Sequence, residues 1–132
     1  MSKYKILLIE DDHTMLILLR TLLSFEGYDV AQLEDDENLD VIMSTVHQEM
    51  PEAILLDVNL RQVNGLDLLQ RIRQDDSLNE VRVIMSSGLD FSARCISGGA
   101  DAFIQKPYMP EELIRKIREA VEKPSSTMEG ES

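Results

Sequence analysis

The sequence predicts an α/β fold, a doubly wound sheet of five parallel strands with five helices covering both faces. Continuous apolar runs of four or five residues recur along the chain, stretches with helical spacing lie between them, and the strand-then-helix order repeats five times. Uninterrupted apolar runs suit strands covered on both faces. Regular βα alternation implies parallel pairing with right-handed crossovers.

The first strand is KILLIE at 5–10, followed by HTMLILLRTLLSF, with apolar residues at 15, 16, 18, 19, 22, 23 and 25 and Gly27 as its stop. YDVAQLE at 28–34 alternates weakly and reads as an edge strand. ENLDVIMSTVHQEM then places Leu39, Ile42, Val46 and Met50 on one stripe. AILLD at 53–57 is the third strand, and LDLLQRIRQD presents Leu66, Leu69 and Ile72 inward. VRVIMSS at 81–87 is the fourth strand, before a short helix near FSARCISGG. AFIQK at 102–106 is the fifth, and PEELIRKIREAVEK carries Leu113, Ile114, Ile117 and Val121 inward. That last helix opens with Pro110, Glu111 and Glu112, where a fixed φ and negative charge both suit a helix start.

With 132 residues the chain has length for one domain, expected over 3–123, and its 43% hydrophobic and 29% charged residues fit a folded globular protein. PSSTMEGES at 124–132 lacks periodicity and is expected to be a disordered tail. The 25 acids against 13 bases give a net charge of −12, which repels phosphate backbones and argues against direct nucleic-acid binding. The apolar run at Ile6–Ile9 is too short for a signal-peptide core or a membrane span. The lone Cys95 fits a reducing compartment, so a cytoplasmic protein without a membrane role is expected, with Cys95 itself a small buried residue.

In a parallel sheet the strand ends gather along one edge, which is where open α/β sheets bind ligands. Here those ends are Glu10, Asp11 and Asp12, then Asp57, then Ser86 and Ser87, then Lys106. Asp12 directly precedes the first helix and reads as its cap, a role contributing roughly 1 kcal/mol. Two carboxylates about 4 Å apart repel by about 4 kcal/mol at an effective dielectric of about 20. Gathering three therefore calls for a cation, and hard oxygen donors with no histidine among them favour Mg²⁺. A carboxylate emerging from a buried strand, as Asp57 does, can bind metal or attack phosphorus. Lys106 and the Ser87 hydroxyl would then face phosphoryl oxygens.

Four segments, LLIEDD, ILLDVNLRQVNGLDLL, VIMSSG and GADAFIQKPY, occur in order and at spacings that resemble the receiver domain of two-component response regulators, over about residues 3–123. The resemblance implies a flavodoxin-like strand order 2-1-3-4-5. It also implies that Asp57 accepts a phosphoryl group from a phosphohistidine on a sensor histidine kinase or phosphotransfer protein. Glu10 and Asp11 match the acidic pair that holds Mg²⁺ together with Asp57 and the backbone carbonyl of Asn59. Ser87 matches the switch hydroxyl, Phe103 the switch aromatic and Lys106 the family's lysine, and Lys106-Pro107 resembles its cis peptide. Phosphorylation would draw Ser87 inward, let Phe103 turn, and remodel the face of the fourth helix, fifth strand and fifth helix for a downstream protein.

The implied protein is a stand-alone phosphoacceptor, monomeric or dimerising on phosphorylation. It would be a substrate and switch rather than an enzyme, apart from catalysing its own phosphorylation and dephosphorylation. Departures from the family pattern qualify this. Arg61 stands where proline is usual, implying a less rigid loop, Gly88 replaces a frequent alanine, and the span from Ser87 to Lys106 is short, leaving the fourth helix open. Two other readings carry less weight. A phosphatase of the haloacid dehalogenase type keeps its nucleophile on the first strand with a second Asp two residues on, whereas Asp57 ends the third and position 59 is Asn. A degenerate docking receiver would lack key side chains that are present.

His13 and His47 have no metal-ligand spacing and are expected on the surface. Met15, Met43, Met50 and Met85 are expected in the core, and Gly65 is expected to permit the turn into the third helix. Arg115, Lys116 and Arg118 form a basic strip that either faces a partner or solvates the last helix.

Overall fold

The computed structural model describes residues 4–33 and 38–122. The expected tail at 124–132 lies outside these residues, as do both bounds, 3 and 123, of the expected domain. The order is β1 (Lys5–Ile9), α1 (His13–Phe25), β2 (Asp29–Gln32), α2 (Leu39–Glu49), β3 (Ala53–Asp57), α3 (Gly65–Arg73), β4 (Arg82–Ser87), α4 (Ser92–Ser97), β5 (Ala102–Gln105) and α5 (Pro110–Glu122). A single 3₁₀ turn at Asp76–Leu78, not anticipated, links α3 to β4. The strands form one parallel sheet in the order β2-β1-β3-β4-β5.

Side chains alternate across a strand, and both sides of this sheet are covered, so both sets are apolar. Ile6 and Leu8 of β1, Leu55 of β3 and Ile84 of β4 pack with Leu16, Leu19 and Leu23 of α1 and with Leu113 and Ile117 of α5. The alternate residues Leu7, Ile9, Ile54, Leu56, Val83 and Met85 pack with α2, α3 and Cys95 of α4. Cys95 is fully buried, as expected, and burial pushes its thiol pKa up.

The helix ends follow local chemistry. Asp12 caps α1, its carboxylate accepting from the Met15 N–H at 3.1 Å. Asn38 and Asn64 cap α2 and α3 in the same way, a pair of caps not singled out from the sequence. Gly27 takes φ +97° just past α1, the left-handed conformation that favours glycine.

Several expected positions need correction, and Leu39 of α2 and Val121 of α5 are only half-buried. Met50 is half exposed because α2 ends at Glu49 and Met50 itself forms the left-handed cap, at φ 43°. In α1 the apolar count overstated the buried face, since Leu18 and Phe25 point outward, Phe25 being 89% exposed. In α3 the buried side chains are Leu68, Leu69 and Ile72, behind the buried Gly65, with Leu66 only half-buried. Helix α4 has six residues, consistent with the short span noted in the sequence.

Candidate functional site

The C-terminal edge of the sheet brings the expected residues to one place. Glu10 follows β1, Asp57 ends β3, Ser87 ends β4 and Lys106 follows β5. Lys106 Nζ lies 2.9 Å from Glu10 Oε1 and 3.0 Å from Asp57 Oδ2. Asp57 Oδ1 accepts the backbone N–H of Asn59 at 3.0 Å, so both of its oxygens are held. Asp57 is 6% exposed, which fixes its direction while leaving it at the surface of the cleft. The Lys106-Pro107 peptide is cis.

The Ser87 hydroxyl accepts two hydrogen bonds, from Asn59 Nδ2 at 3.2 Å and from the Leu89 N–H at 3.1 Å. Phe103, on β5, is half-buried and packs on the α2/α3/α4 side of the sheet. Gly65 is placed by close approach rather than by turn geometry. A Cβ there would come within 2.3 Å of the Asp57 carbonyl oxygen, and the Gly65 N–H donates to Val58 O at 2.8 Å. The start of α3 therefore presses against the end of β3 that carries Asp57.

Burial raises the Glu10 carboxyl above its usual range, with the Asp57 charge adding to the rise while Lys106 and the Asp12 N–H oppose it. For Lys106, burial would lower the ammonium's pKa. The hydrogen bonds and charges of Glu10 and Asp57 outweigh that and hold it above its ordinary value. Tyr108, a residue the sequence did not mark, lies close behind. Burial, with the Glu10 charge, pushes its phenol up to about 12, and its hydroxyl is buried without a hydrogen-bond partner.

The donor set suits a hard divalent ion. Glu10 Oε1 is buried and meets the Lys106 ammonium at 2.9 Å, a single contact that leaves its second lone pair to offer. Asp11 and Asp57 add further carboxylate oxygens. Both histidines are exposed: His13 borders the cleft beside Glu10 and Asp11, and His47 is paired to Asp75 at 2.8 Å. Asp11 is engaged across the neighbouring loop. Its Oδ2 accepts the backbone N–H of Arg61, and the Arg61 Nε stands 4.0 Å away. The residue expected to loosen this loop thus ties it to the end of β1. Among the described residues no three His, Cys, Asp or Glu side chains converge into a ready-made metal cage. Mg²⁺ keeps several waters and needs few protein ligands.

The basic strip on α5 is partly neutralised, because Arg118 pairs with Glu26 at 3.0 Å and Arg115 with Glu119 at 3.6 Å. No helix among the described residues is long and apolar enough to cross a membrane.

A five-stranded 2-1-3-4-5 sheet with an acidic edge facing a lysine defines a recognisable class. Residues 6–118 match the profile of the response regulator receiver domain, and the chain belongs to that family. It is similar to the probable transcriptional regulator ycf27 of Guillardia theta, at 35% identity over 120 residues, covering 89% of this chain and 45% of that protein. Among solved structures it resembles a CheY-like response regulator receiver domain protein from Methanospirillum hungatei JF-1, with TM-score 0.80 and 28% identity, covering 92% of this chain and 95% of that one. It shares its fold with the receiver domain of the sensor histidine kinase PA1611 from Pseudomonas aeruginosa PAO1. That structure, described with a magnesium ion in its active-site cleft, has TM-score 0.78 and 22% identity and covers 92% of this chain and 100% of that one. The chain spans about half the length of the curated relatives it matches, so its expected stand-alone character finds no support in them.

Proposed function

We propose that Asp57 is the phosphoacceptor of a two-component system, taking its phosphoryl group from a phosphohistidine on a sensor histidine kinase or phosphotransfer protein in the cytoplasm. One observation carries the reading. Asp57 stands at the ligand edge of the sheet, buried, ionically held by Lys106 and oriented by the Asn59 N–H. In the transfer, an Asp57 oxygen forms the new P–O bond while the donor's N–P bond breaks and its imidazole nitrogen keeps the bonding pair.

Lys106 spans Glu10 and Asp57, and its ammonium is placed to balance the charge that the phosphoryl group adds. Glu10, Asp11, Asp57 and the backbone carbonyl of Asn59 would hold Mg²⁺. A bound Mg²⁺ supplies Lewis-acid neutralisation of the phosphoryl oxygens. The partner-facing switch is Ser87 and Phe103. To reach a phosphoryl oxygen, the Ser87 hydroxyl gives up its bonds to Asn59 and Leu89, which would free the loop that begins at Gly88. A transcriptional role, carried in the name of the Guillardia theta protein, would fall to the part of that protein this chain does not match.

The test is incubation with acetyl phosphate and Mg²⁺, followed by intact-protein mass spectrometry. The mass should rise by one phosphoryl group in the native chain and not in Asp57→Asn. A modification that persists in Asp57→Asn rejects the assignment.

A further inference from the structure

Of the carboxylates expected around the cation, Asp11 has one oxygen engaged across the neighbouring loop. Its Oδ2 accepts the Arg61 backbone N–H, and the Arg61 guanidinium stands 4.0 Å from that same oxygen. The two residues are 50 apart in sequence, so the contact ties the end of β1 to the loop between β3 and α3. Asp11 is 22% exposed and Arg61 77%. The amide bond to a charged acceptor is therefore sheltered on one side, while the guanidinium contact is largely screened by solvent.

Together with Glu10, His13, Gln32 and Gln62, this pair lines a cleft of about 420 Å³. A cation approaching Asp11 through that cleft meets an oxygen already satisfied by an N–H and a positive charge beside it. Asp57 is held in a comparable way by Lys106 and the Asn59 N–H.

We infer that Arg61 is a positioning residue that competes with the divalent cation for Asp11 Oδ2, so that a cation taken up by this oxygen has to break the link between Asp11 and the Arg61 end of the β3–α3 loop. This rests on the cation site proposed above. The backbone N–H is the larger part of the competition and the guanidinium the smaller. Cation occupancy and loop position are then two readings of one equilibrium, because a ligand that binds only the released state shifts the population toward it. The loop concerned directly follows the phosphoacceptor.

Two variants separate the parts. Arg61→Gln keeps the amide and removes the charge, whereas Arg61→Pro removes both, since proline has no N–H. The measurement is Mg²⁺ titration of the ¹⁵N-labelled chain by NMR, without any phosphodonor. Arg61→Pro should bind Mg²⁺ about tenfold more tightly than the native chain, the factor corresponding to about 1.4 kcal/mol, and Arg61→Gln should fall in between. In the native chain the Arg61 amide proton should move upfield as Mg²⁺ is added, reporting loss of its bond to Asp11. If Mg²⁺ binds the native chain but the variants match it or bind more weakly, or the Arg61 amide stays in place, this inference is wrong and the cation site stands. If Mg²⁺ produces no shifts near Glu10, Asp11 and Asp57 in any of the three, the cation site falls and this inference with it.

Discussion

Replacing Gly65 with alanine tests how tightly the phosphoacceptor strand is wedged against α3. An added Cβ would meet the Asp57 carbonyl oxygen at 2.3 Å, Val58 Cα at 2.8 Å and the Asp57 carbonyl carbon at 3.0 Å. All three are backbone atoms, so no side-chain rotation relieves the overlap. Overpacking of this kind costs typically about 1–3 kcal/mol, and the gain from replacing a helical glycine returns only about 0.5–1 kcal/mol. A net loss of about 1–2 kcal/mol follows, accompanied by amide shifts at Val58 and Asn59, next to Asp57. Two other glycines calibrate the result. At Gly88 a Cβ meets nothing within 4 Å, so alanine should stabilise by about 0.4–1 kcal/mol through the unfolded state. At Gly27 the space is also open but φ is +97°, and alanine should cost about 1–2 kcal/mol. Equilibrium urea unfolding with an unchanged m-value reads all three. A Gly65→Ala midpoint at or above that of Gly88→Ala would refute the close-approach argument.

Further expectations concern the supports of the site. Arg73 donates to Gly99 O and Val81 O, both at 2.8 Å, and to Asp101 Oδ2 at 3.0 Å, with a side chain only 22% exposed. Arg73→Met should therefore lower unfolding stability by about 3 kcal/mol, and a loss under about 1 kcal/mol would show the three bonds to be dispensable. Because burial raises Glu10's carboxyl pKa in the folded state, its contribution to stability is complete below the unfolded pKa and is lost as pH rises through the folded value. Without Mg²⁺, Glu10→Gln should abolish that decline and be the more stable protein at neutral pH; parallel stability–pH curves for the two chains would contradict this. Of the three tyrosines, Tyr108 should ionise near pH 12 in an ultraviolet titration. Tyr108→Phe should remove that late step and leave the others in place, and a late step that survives belongs to another residue.

Much of the fold was legible because the sheet is covered on both faces. Runs such as KILLI and AILLD need no alternation to be read as strands, and their order fixes parallel pairing. Glu10, Asp57, Ser87 and Lys106 were legible for a related reason: polar residues that end apolar strands must gather along one edge. What remained hidden depends on contacts distant in sequence or on backbone atoms. The Arg61 N–H that holds Asp11 leaves no mark in the one-letter sequence, and neither does the Asp57 carbonyl oxygen that explains Gly65. Periodicity showed that α1 has apolar residues, but only the packed sheet shows that Phe25 lies outside its reach. Met50 was misplaced because one residue of helix length separates an inward position from an exposed cap. Asn38 and Asn64 each stand just before a helical stripe and could have been read as caps, but were not.

The account turns on which carboxylate takes the phosphoryl group, and chemical trapping answers that directly. Borohydride reduction of the chain after treatment with acetyl phosphate and Mg²⁺ converts an aspartyl phosphate to homoserine, which peptide mass spectrometry locates. The expected result is homoserine at position 57 alone. Homoserine at another aspartate, or none in a chain whose mass shows a phosphoryl group, would contradict it.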